Sequence, residues 1–399
     1  EELVNGKEDL HLKLGVVKTL GTFPYVESFV ILRSQLNKNN LELSIACSDG
    51  LLKIVKTSEV KNQIQEPLTE EIKIFAKQYF TIHCFMTLLT DVDKSGLIID
   101  QIITEQKKLV HIILKLVSIQ IPESPIDSHI KHIIDQSDKD LPFILEFFDT
   151  SFSKEIRDVL MPIIDPEIGF KQKNIDHENN KNSPESHLKN WAESKNQWKS
   201  AISIDYIINH NKSFIEEIKW DNVAPSQYLA EIFDDYKEEE TIIPINKFKK
   251  RSEKNMFTIL EKTILLKTVD LFQDIPGDLL SQISQISKAK NYENGEIIFK
   301  EGDAGDSMFI VIDGEISIKK GDKLLAKLER GASLGEMALL DHETRSADAM
   351  AEKDSVLLKI NQDVFYELME SNADIMKQII KLLTSRIREA NTKLERSLK

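Results

Sequence analysis

The chain has 399 residues, of which 41% are hydrophobic, enough for two or three ordinary domains with their own cores. Its formal net charge is −14, and this acidic balance disfavours a large surface for polyanions, because nucleic acids are bound by clustered Lys and Arg. We therefore expect no nucleic-acid partner, which argues against a DNA-binding regulator.

The first fifty residues contain an internal repeat with a period of 31 residues. Its two copies are apolar helical patterns that begin at Leu10 and Leu41, and a further helix is predicted between them over residues 25–36. Pro24 suits the first turn of that middle helix. A period of this size predicts stacked helix pairs.

The chain opens on Glu1 without a methionine or a signal-type apolar region, as an excised segment of a longer protein would.

Helical periodicity continues through the next part of the chain. The most apolar stretches are too short, and too often interrupted by His or Lys, to span a bilayer. We therefore expect a cytoplasmic location, either free or on the cytoplasmic face of a membrane protein. Cys47 and Cys84 lack the spacing of a metal or redox pair and are predicted to be reduced core residues. Helices are predicted over residues 70–89, 98–119, 125–135, 141–148 and 154–161.

Changes in composition suggest the domain boundaries. Residues 170–187 are dominated by Lys, Asn, Asp, Glu and Ser, which is typical of a solvated loop. More helix follows, and charged segments then precede a different pattern. We assign an all-α helical-repeat region to residues 1–235, with its loop at about 170–187, a charged linker to residues 236–258 and a C-terminal domain to residues 259–399.

The C-terminal domain carries short alternating strands after Tyr292, punctuated by glycine, which is the composition of a small antiparallel barrel. Asp313-Gly314 is a hairpin signal, since both residues tolerate positive φ. The fold class predicted for the whole chain is α+β and multidomain. An N-terminal all-α region is followed by a small β-barrel of the jelly-roll type with flanking helices.

A distinctive motif follows these strands and consists of two runs, Leu334-Gly335-Glu336-Met337-Ala338-Leu339-Leu340 and Arg345-Ser346-Ala347. It resembles the phosphate-binding cassette of the cyclic-nucleotide-binding family, which includes protein kinase A regulatory subunits, cyclic-nucleotide-gated channels and catabolite activator proteins. In that family an Arg stands nine residues after the Glu, as Arg345 does after Glu336. Thr344 stands where the family often has Pro, which bears on loop stiffness. The resemblance implies a ligand, cAMP or cGMP, with neither a metal nor catalytic residues, bound by Gly335, Glu336, Met337, Ala338, Arg345, Ser346 and Ala347.

Each main residue of this motif has a physical reason to be there. A cyclic phosphate is a monoanion, and a short helix starting at Gly335 would point unpaired N–H groups at it. Arg345 adds a full positive charge in a fork that can meet two oxygens. Glu336 would accept a hydrogen bond from the ribose 2′-hydroxyl, and Ser346 could donate to the phosphate or the base. The alternative is that Glu336 and Arg345 form a surface ion pair beside a barrel loop.

The last helix, predicted over residues 372–398, has two interpretations that stay open. Its apolar residues alternate at spacings of four and three, a heptad seam that would support a homodimer through a two-stranded coiled coil. Alternatively, its first half lies on its own barrel and the remainder is a solvated tail. The seam consists of Met376, Ile380, Leu383, Ile387, Ala390 and Leu394.

A looser resemblance covers about residues 8–235. Residues 20–36 look like HEAT repeats, and residues 146–149 and 161–165 are similar to the helical repeats that precede a cyclic-nucleotide-binding domain in some bacterial proteins. In those relatives the pair often forms the cytoplasmic tail of carriers resembling major-facilitator or ATP/ADP translocase proteins. The resemblance implies a protein partner or an attached membrane domain, reached through the helical repeats.

The functional hypotheses follow from both resemblances. The first is a regulatory sensor, in which cAMP or cGMP binding to the barrel switches the C-terminal helices and an attached or partner effector. The second is the soluble cytoplasmic tail of a membrane transporter with a ligand-free barrel as scaffold. An enzyme is not expected, since no P-loop, dinucleotide or kinase signature occurs. His83 and Cys84 are adjacent and could suggest a catalytic base and nucleophile. Neighbours on a helix point about 100° apart, however, so the two side chains cannot face one another.

Overall fold

The computed structural model describes residues 10–36, 40–57, 60, 67–89, 93, 96–121, 126–134, 141–165, 184–210, 212–233, 257–269, 272–273, 275–335, 344–371, 375–377, 379–380 and 384. The chain forms two compact units. The first contains residues 1–92 and 102–184, and the second contains residues 93–101 and 185–399. Nearly all of the predicted charged linker lies outside the described residues, so that boundary stays a prediction.

The regular elements described in the first unit are helices. One of them, α5, also gives its first turn, residues 97–101, to the second unit. No helix in the described part of the chain combines the length and the apolar character that a membrane crossing requires. The helices are α1 (Leu10–Leu20), α2 (Val26–Ser34), α3 (Leu41–Lys56), α4 (Thr69–Leu89), α5 (Leu97–Gln120), α6 (Ile126–Ile134), α7 (Leu141–Ser151) and α8 (Lys154–Ile164).

The 31-residue repeat corresponds to α1 and α3, which pack against each other. Their contact depends on two glycines, because a Cβ added at Gly21 would lie 2.7 Å from Cα of Gly50. Cys47, on α3, is a buried free thiol, and burial raises its pKa to about 12. A helix pair therefore forms where the repeat predicted one, whereas the assignment to HEAT repeats stays a prediction.

Two sequence predictions in this region need correction. Helix α8 was predicted to end at Met161, yet it continues through Pro162 to Ile164. Pro162 lacks the N–H that would bond one turn back, but Ile163 and Ile164 are buried, which favours the extra turn. The second correction concerns the predicted loop, because its residues 184–187 form the first turn of a helix that has Pro184 at its first position.

In the second unit, helices both precede and follow the strands along the chain. Residues 184–233 form α9 (Pro184–Ala192), α10 (Gln197–His210) and α11 (Gln227–Ile232), with short 3-10 helices at Lys212–Glu217 and Trp220–Asn222. Two helices then precede the first strand and one follows the last strand. They are α12 (Ile259–Lys267), α13 (Gly277–Ile286) and α14 (Gln362–Ser371).

The strands form two four-stranded sheets in which the pairs are antiparallel. One sheet has the order β1-β8-β3-β6 and the other β2-β7-β4-β5. Small antiparallel sheets with flanking helices are what the sequence predicted. The strands are β1 (Lys288–Tyr292), β2 (Ile297–Phe299), β3 (Ser307–Asp313), β4 (Ile316–Lys320), β5 (Lys323–Leu328), β6 (Ser333–Leu334), β7 (Asp348–Ala351) and β8 (Ser355–Asn361).

The hairpin predicted at Asp313-Gly314 is wrong. The turn is present, with Gly314 at φ 102°, but β3 and β4 belong to different sheets and do not pair. A Cβ on Gly314 would lie 2.1 Å from Oγ of Ser355, so the glycine here permits both the φ and the close approach. The hairpin lies one turn later, where β4 pairs with β5 around Gly321 at φ 55°.

Strand β3 explains how the two hydrophobic cores of this unit are arranged. Its side chains alternate between them. Met308, Ile310 and Ile312 pack with Phe272, from the turn between α12 and α13, and with Phe365 of α14. Phe309 and Val311 pack in the other core, which draws on both sheets and also contains Tyr292, Ile316, Leu334, Ala349, Ala351 and Leu357.

The described residues of the last helix show two different faces. Ile375 and Ile379 are buried in the same core as Phe272 and Phe365, with exposed fractions of 0% and 3%. Met376 and Ile380 are 43% and 57% exposed. The helix therefore packs on its own domain through one face while the first two seam positions stay accessible, and the later seam positions lie outside the described residues.

Helix α11 and the pair α12–α13 share a polar network. The Tyr228 hydroxyl lies 2.9 Å from Oγ of Ser281, and Nε2 of Gln285 donates to it at 2.8 Å. The buried Glu231 carboxylate accepts from the backbone N–H of Ile259 at 2.6 Å, at the start of α12. Carboxylates are favoured at helix N-termini, so residues 227–233 stabilise the helices that lead into the strands.

Asp100, in the first turn of α5, provides a second clamp on the same helices. It accepts from the backbone N–H of Gly277 at 2.7 Å and pairs with Nζ of Lys267 at 2.5 Å. We expect Asp100→Ala to lower the free energy of unfolding by about 1–2 kcal/mol, because one acceptor serves a helix N-terminus and a cation. Urea denaturation checks this. Asp322→Ala, which removes an exposed carboxylate from the β4–β5 turn, is the control and should change little.

Candidate functional site

The structure places four of the seven predicted site residues. Gly335 follows β6, while Arg345, Ser346 and Ala347 lie just before β7. Arg345 and Ala347 are buried and Ser346 is exposed. Gly335 and Arg345 are in contact, ten residues apart in the sequence. The remaining three predictions, Glu336, Met337 and Ala338, lie outside the described residues.

Arg345 is the main feature of the site, with only 6% of its surface exposed. Its Nη2 donates to the Ser307 carbonyl at 2.6 Å and lies 3.3 Å from Oγ of the same serine. Its Nη1 lies 3.5 Å from the Gly335 carbonyl. Its Nε is buried and has no hydrogen-bond partner among the described residues. Arg345 is therefore not at the surface, as the ion-pair alternative required, whereas Glu336, its partner in that alternative, lies outside the described residues.

The guanidinium also lies against aromatic rings. Its central carbon is 4.2 Å from the ring centre of Phe299, at the end of β2, and 6.0 Å from that of Phe309, on β3. The two phenylalanine rings are themselves 6.1 Å apart. Aromatic faces attract cations, and the attraction grows where water is excluded. Phe299 therefore contributes to holding Arg345 in place.

Burial lowers the pKa of Arg345, and the nearby carboxylates of Asp306 and Asp303 oppose that effect. Among the described carboxylates none forms an ion pair with the guanidinium. A buried cation without an ionic partner is costly, whereas an anion that reaches it meets a strong, largely desolvated donor. The site is therefore electrostatically suited to an anion.

Gly335 has a specific reason to be glycine. Its φ is 74°, and an added Cβ would lie 2.2 Å from Nη1 of Arg345. In the structure the group that requires the space is the arginine side chain itself.

The loop between β2 and β3 fixes the backbone at Arg345. The N–H of Arg345 donates to the Asp303 carbonyl at 2.9 Å, and the N–H of Gly302 donates to the Arg345 carbonyl at 2.8 Å. The same loop also contacts α14. The N–H of Gln362, the first residue of that helix, donates to the Asp306 carbonyl at 2.8 Å. No sequence motif pointed to this loop, to Ser307 or to Phe299.

The comparisons with known proteins agree with this geometry. The family model described as "Cyclic nucleotide-binding domain" matches residues 289–372. This part of the chain is a cyclic nucleotide-binding domain. The match confirms the resemblance first seen in residues 334–347, which lie within the cyclic nucleotide-binding domain. The HEAT-like repeats and the likeness to transporter tails stay predictions.

Curated relatives match over the same part of the chain. Human cGMP-dependent protein kinase 2 is 27% identical over 121 residues, which is 29% of this chain and 16% of the kinase. The cGMP-dependent protein kinase of Eimeria tenella is 32% identical over 135 residues, or 34% of this chain and 13% of that protein. The cyclic AMP receptor protein of Thermus thermophilus is 28% identical over 135 residues, or 33% of this chain and 62% of that protein. The chain thus spans less than two thirds of each relative.

Solved structures match about a third of the chain with low TM-scores. The catabolite activator protein of Thermus thermophilus is 28% identical and covers 32% of this chain and 62% of its own, with a TM-score of 0.28. The cAMP-bound PfPKA-R structure is 28% identical and covers 32% of this chain and 48% of its own, with a TM-score of 0.26. The assignment of the domain therefore depends on the family model and the curated relatives.

Proposed function

We propose that this protein is a regulatory sensor of cAMP or cGMP and not an enzyme. The observation that supports this proposal best is the guanidinium of Arg345, which is buried and has neither an ionic partner nor a hydrogen-bond partner for its Nε among the described residues. A cyclic phosphate is a compact monoanion that would supply the missing charge. The curated relatives carry cyclic nucleotides in their names, which supports the same ligand class.

The roles of the other residues follow from the chemistry of the ligand. Arg345 would meet the phosphate oxygens through its fork of N–H groups. Glu336 would accept a hydrogen bond from the ribose 2′-hydroxyl, and Met337 and Ala338 would continue the turn that carries it. The exposed Ser346 hydroxyl would donate to the phosphate or the base.

Isothermal titration calorimetry with cAMP and cGMP tests the proposal. Saturable binding of either ligand is expected, together with a rise in the thermal unfolding midpoint, since a ligand that binds only the folded state stabilises it. The control ligand is 5′-AMP, whose phosphate is not cyclic and which should bind more weakly. Neither heat nor stabilisation at millimolar cyclic nucleotide would contradict the proposal and favour a ligand-free scaffold.

The output of the sensor is proposed to pass through helices. Ligand binding would change the packing of α14 and the helical residues after it, which share a core with β3 and β8. The helical repeats would connect this change to a protein partner or an attached membrane domain at the cytoplasmic face. The coding sequence upstream of Glu1 tests the transporter proposal, because it either encodes membrane spans or does not.

We also propose that the chain forms a homodimer through its last helix, since the first two seam positions of that helix, Met376 and Ile380, are exposed. We expect analytical ultracentrifugation to show a dimer and Ile380→Glu to weaken association at least tenfold, because a charge would enter an apolar seam. Leu324→Glu, which changes a 47% exposed apolar residue on β5, is the matched control. A monomeric wild-type chain at high micromolar concentration would contradict the dimer.

A further inference from the structure

The position of Arg345 depends on a group that the family resemblance did not assign. We propose that Phe299 is a positioning residue for the ligand site, whose ring fixes the orientation in which Arg345 meets the phosphate. The inference rests on the proposed function, because it concerns the same arginine. The added residue is Phe299, whose ring centre lies 4.2 Å from the guanidinium carbon of Arg345. Phe299 would act on the ligand only through that arginine.

The contacts of Arg345 leave one part of the guanidinium unpaired. The Phe299 ring lies against the group at 4.2 Å, and the Ser307 carbonyl accepts from Nη2 at 2.6 Å. Nε is buried, and no described residue is its hydrogen-bond partner. A flexible arginine side chain loses substantial rotamer entropy when it is fixed. Two contacts from different strands therefore fix the side chain before a ligand arrives, which lowers the entropic cost of binding.

An aromatic partner differs from a carboxylate in what it leaves available. An Asp or Glu in the same place would hold the guanidinium equally well, but it would neutralise the charge and compete with the phosphate. The face of a phenylalanine ring attracts the cation through its quadrupole and carries no net charge. Phe299 can therefore orient Arg345 while its positive charge stays available to an anion.

The strand pairing explains why Phe299 and Arg345 meet. Phe299 is paired with Ala349 and Ile297 with Met350, so two steps along β2 correspond to one step along β7. Such a bulge changes the direction of the side chains that follow it. Strand β7 begins three residues after Arg345, and the bulge lies directly before Phe299. The shift in register between Ile297 and Phe299 therefore lies where the side-chain direction changes and the Phe299 ring meets Arg345.

The test compares Phe299→Leu and Phe299→Tyr with a control, Leu328→Ala, by calorimetry with cAMP and cGMP. We expect Phe299→Leu to weaken binding about tenfold, because it keeps apolar bulk but removes the aromatic face. Phe299→Tyr should bind within about twofold of the wild type, because it restores that face. Leu328 packs against the same core, and its truncation controls for a general loss of packing. Thermal unfolding measured in parallel shows whether each variant is folded.

A double-mutant cycle with Arg345→Gln separates positioning from a purely structural role. If Phe299 acts through the arginine, Phe299→Leu should change affinity less than about twofold once the guanidinium is gone. An equal loss in both backgrounds, or wild-type affinity in Phe299→Leu, would overturn the inference and leave the proposed sensor standing. If the wild-type chain binds no cyclic nucleotide, the proposed function fails first and the inference fails with it.

Discussion

Arg345→Ala is expected to weaken binding of cAMP or cGMP at least about 100-fold, the scale for removing one partner of a buried charge-assisted pair. Arg345 is the buried cation of the site and has no ionic partner among the described carboxylates. The free energy of unfolding without ligand should change by less than about 1 kcal/mol, because the loss of ring contacts offsets the relief of an uncompensated buried charge. Calorimetry and urea denaturation measure the two quantities.

The control for this prediction is Arg330→Ala, which removes an exposed arginine between β5 and β6. It changes the net charge of the domain equally, so any long-range electrostatic effect on an anionic ligand should be similar. Arg330→Ala should bind within about twofold of the wild type, because exposed charges are screened by salt. A loss of less than about tenfold in Arg345→Ala would show that the phosphate is bound elsewhere.

The second large effect is expected for Gly335→Ala. Its φ of 74° strains any residue with a Cβ, and that Cβ would lie 2.2 Å from Nη1 of Arg345. The arginine must move or the backbone must shift. We therefore expect the free energy of unfolding to fall by about 1–3 kcal/mol and ligand affinity to fall at least about tenfold. Urea denaturation and calorimetry are the measurements.

Gly295→Ala separates strain from displacement of the arginine. Gly295 has a similar φ of 85°, but a Cβ there would meet nothing within 4 Å. It should cost about 1 kcal/mol of stability and leave the affinity for cyclic nucleotide unchanged. If both alanine variants bound cyclic nucleotide equally well, the contact between Gly335 and Arg345 would have no role in binding.

Local sequence patterns were sufficient for much of the fold. Helical periodicity predicted α4 and α5 to within one residue at each end. The spacing of glycines and alternating residues predicted the small antiparallel sheets. The resemblance to a known phosphate-binding cassette led to Arg345, since that motif lies within residues 334–347. These features depend on residues that are close together along the chain.

What the sequence did not reveal depends on residues that are distant along the chain. The Asp313-Gly314 turn has the composition of a hairpin, but whether its flanking strands pair depends on which neighbours each strand finds. Phe299 is 46 positions before Arg345, and only the register of β2 against β7 brings the two together. Likewise, no local pattern indicates that Tyr228 bonds to Ser281.

Two adjacent carbonyls, one at the end of the β2–β3 loop and one on the first residue of β3, have different partners. The Ser307 carbonyl accepts from the guanidinium of Arg345, and the preceding Asp306 carbonyl accepts from the first N–H of α14. The two carbonyls lie in neighbouring peptide planes that are joined at the Cα of Ser307. The guanidinium of Arg345 and the start of α14 are therefore held by successive carbonyls of one short backbone segment.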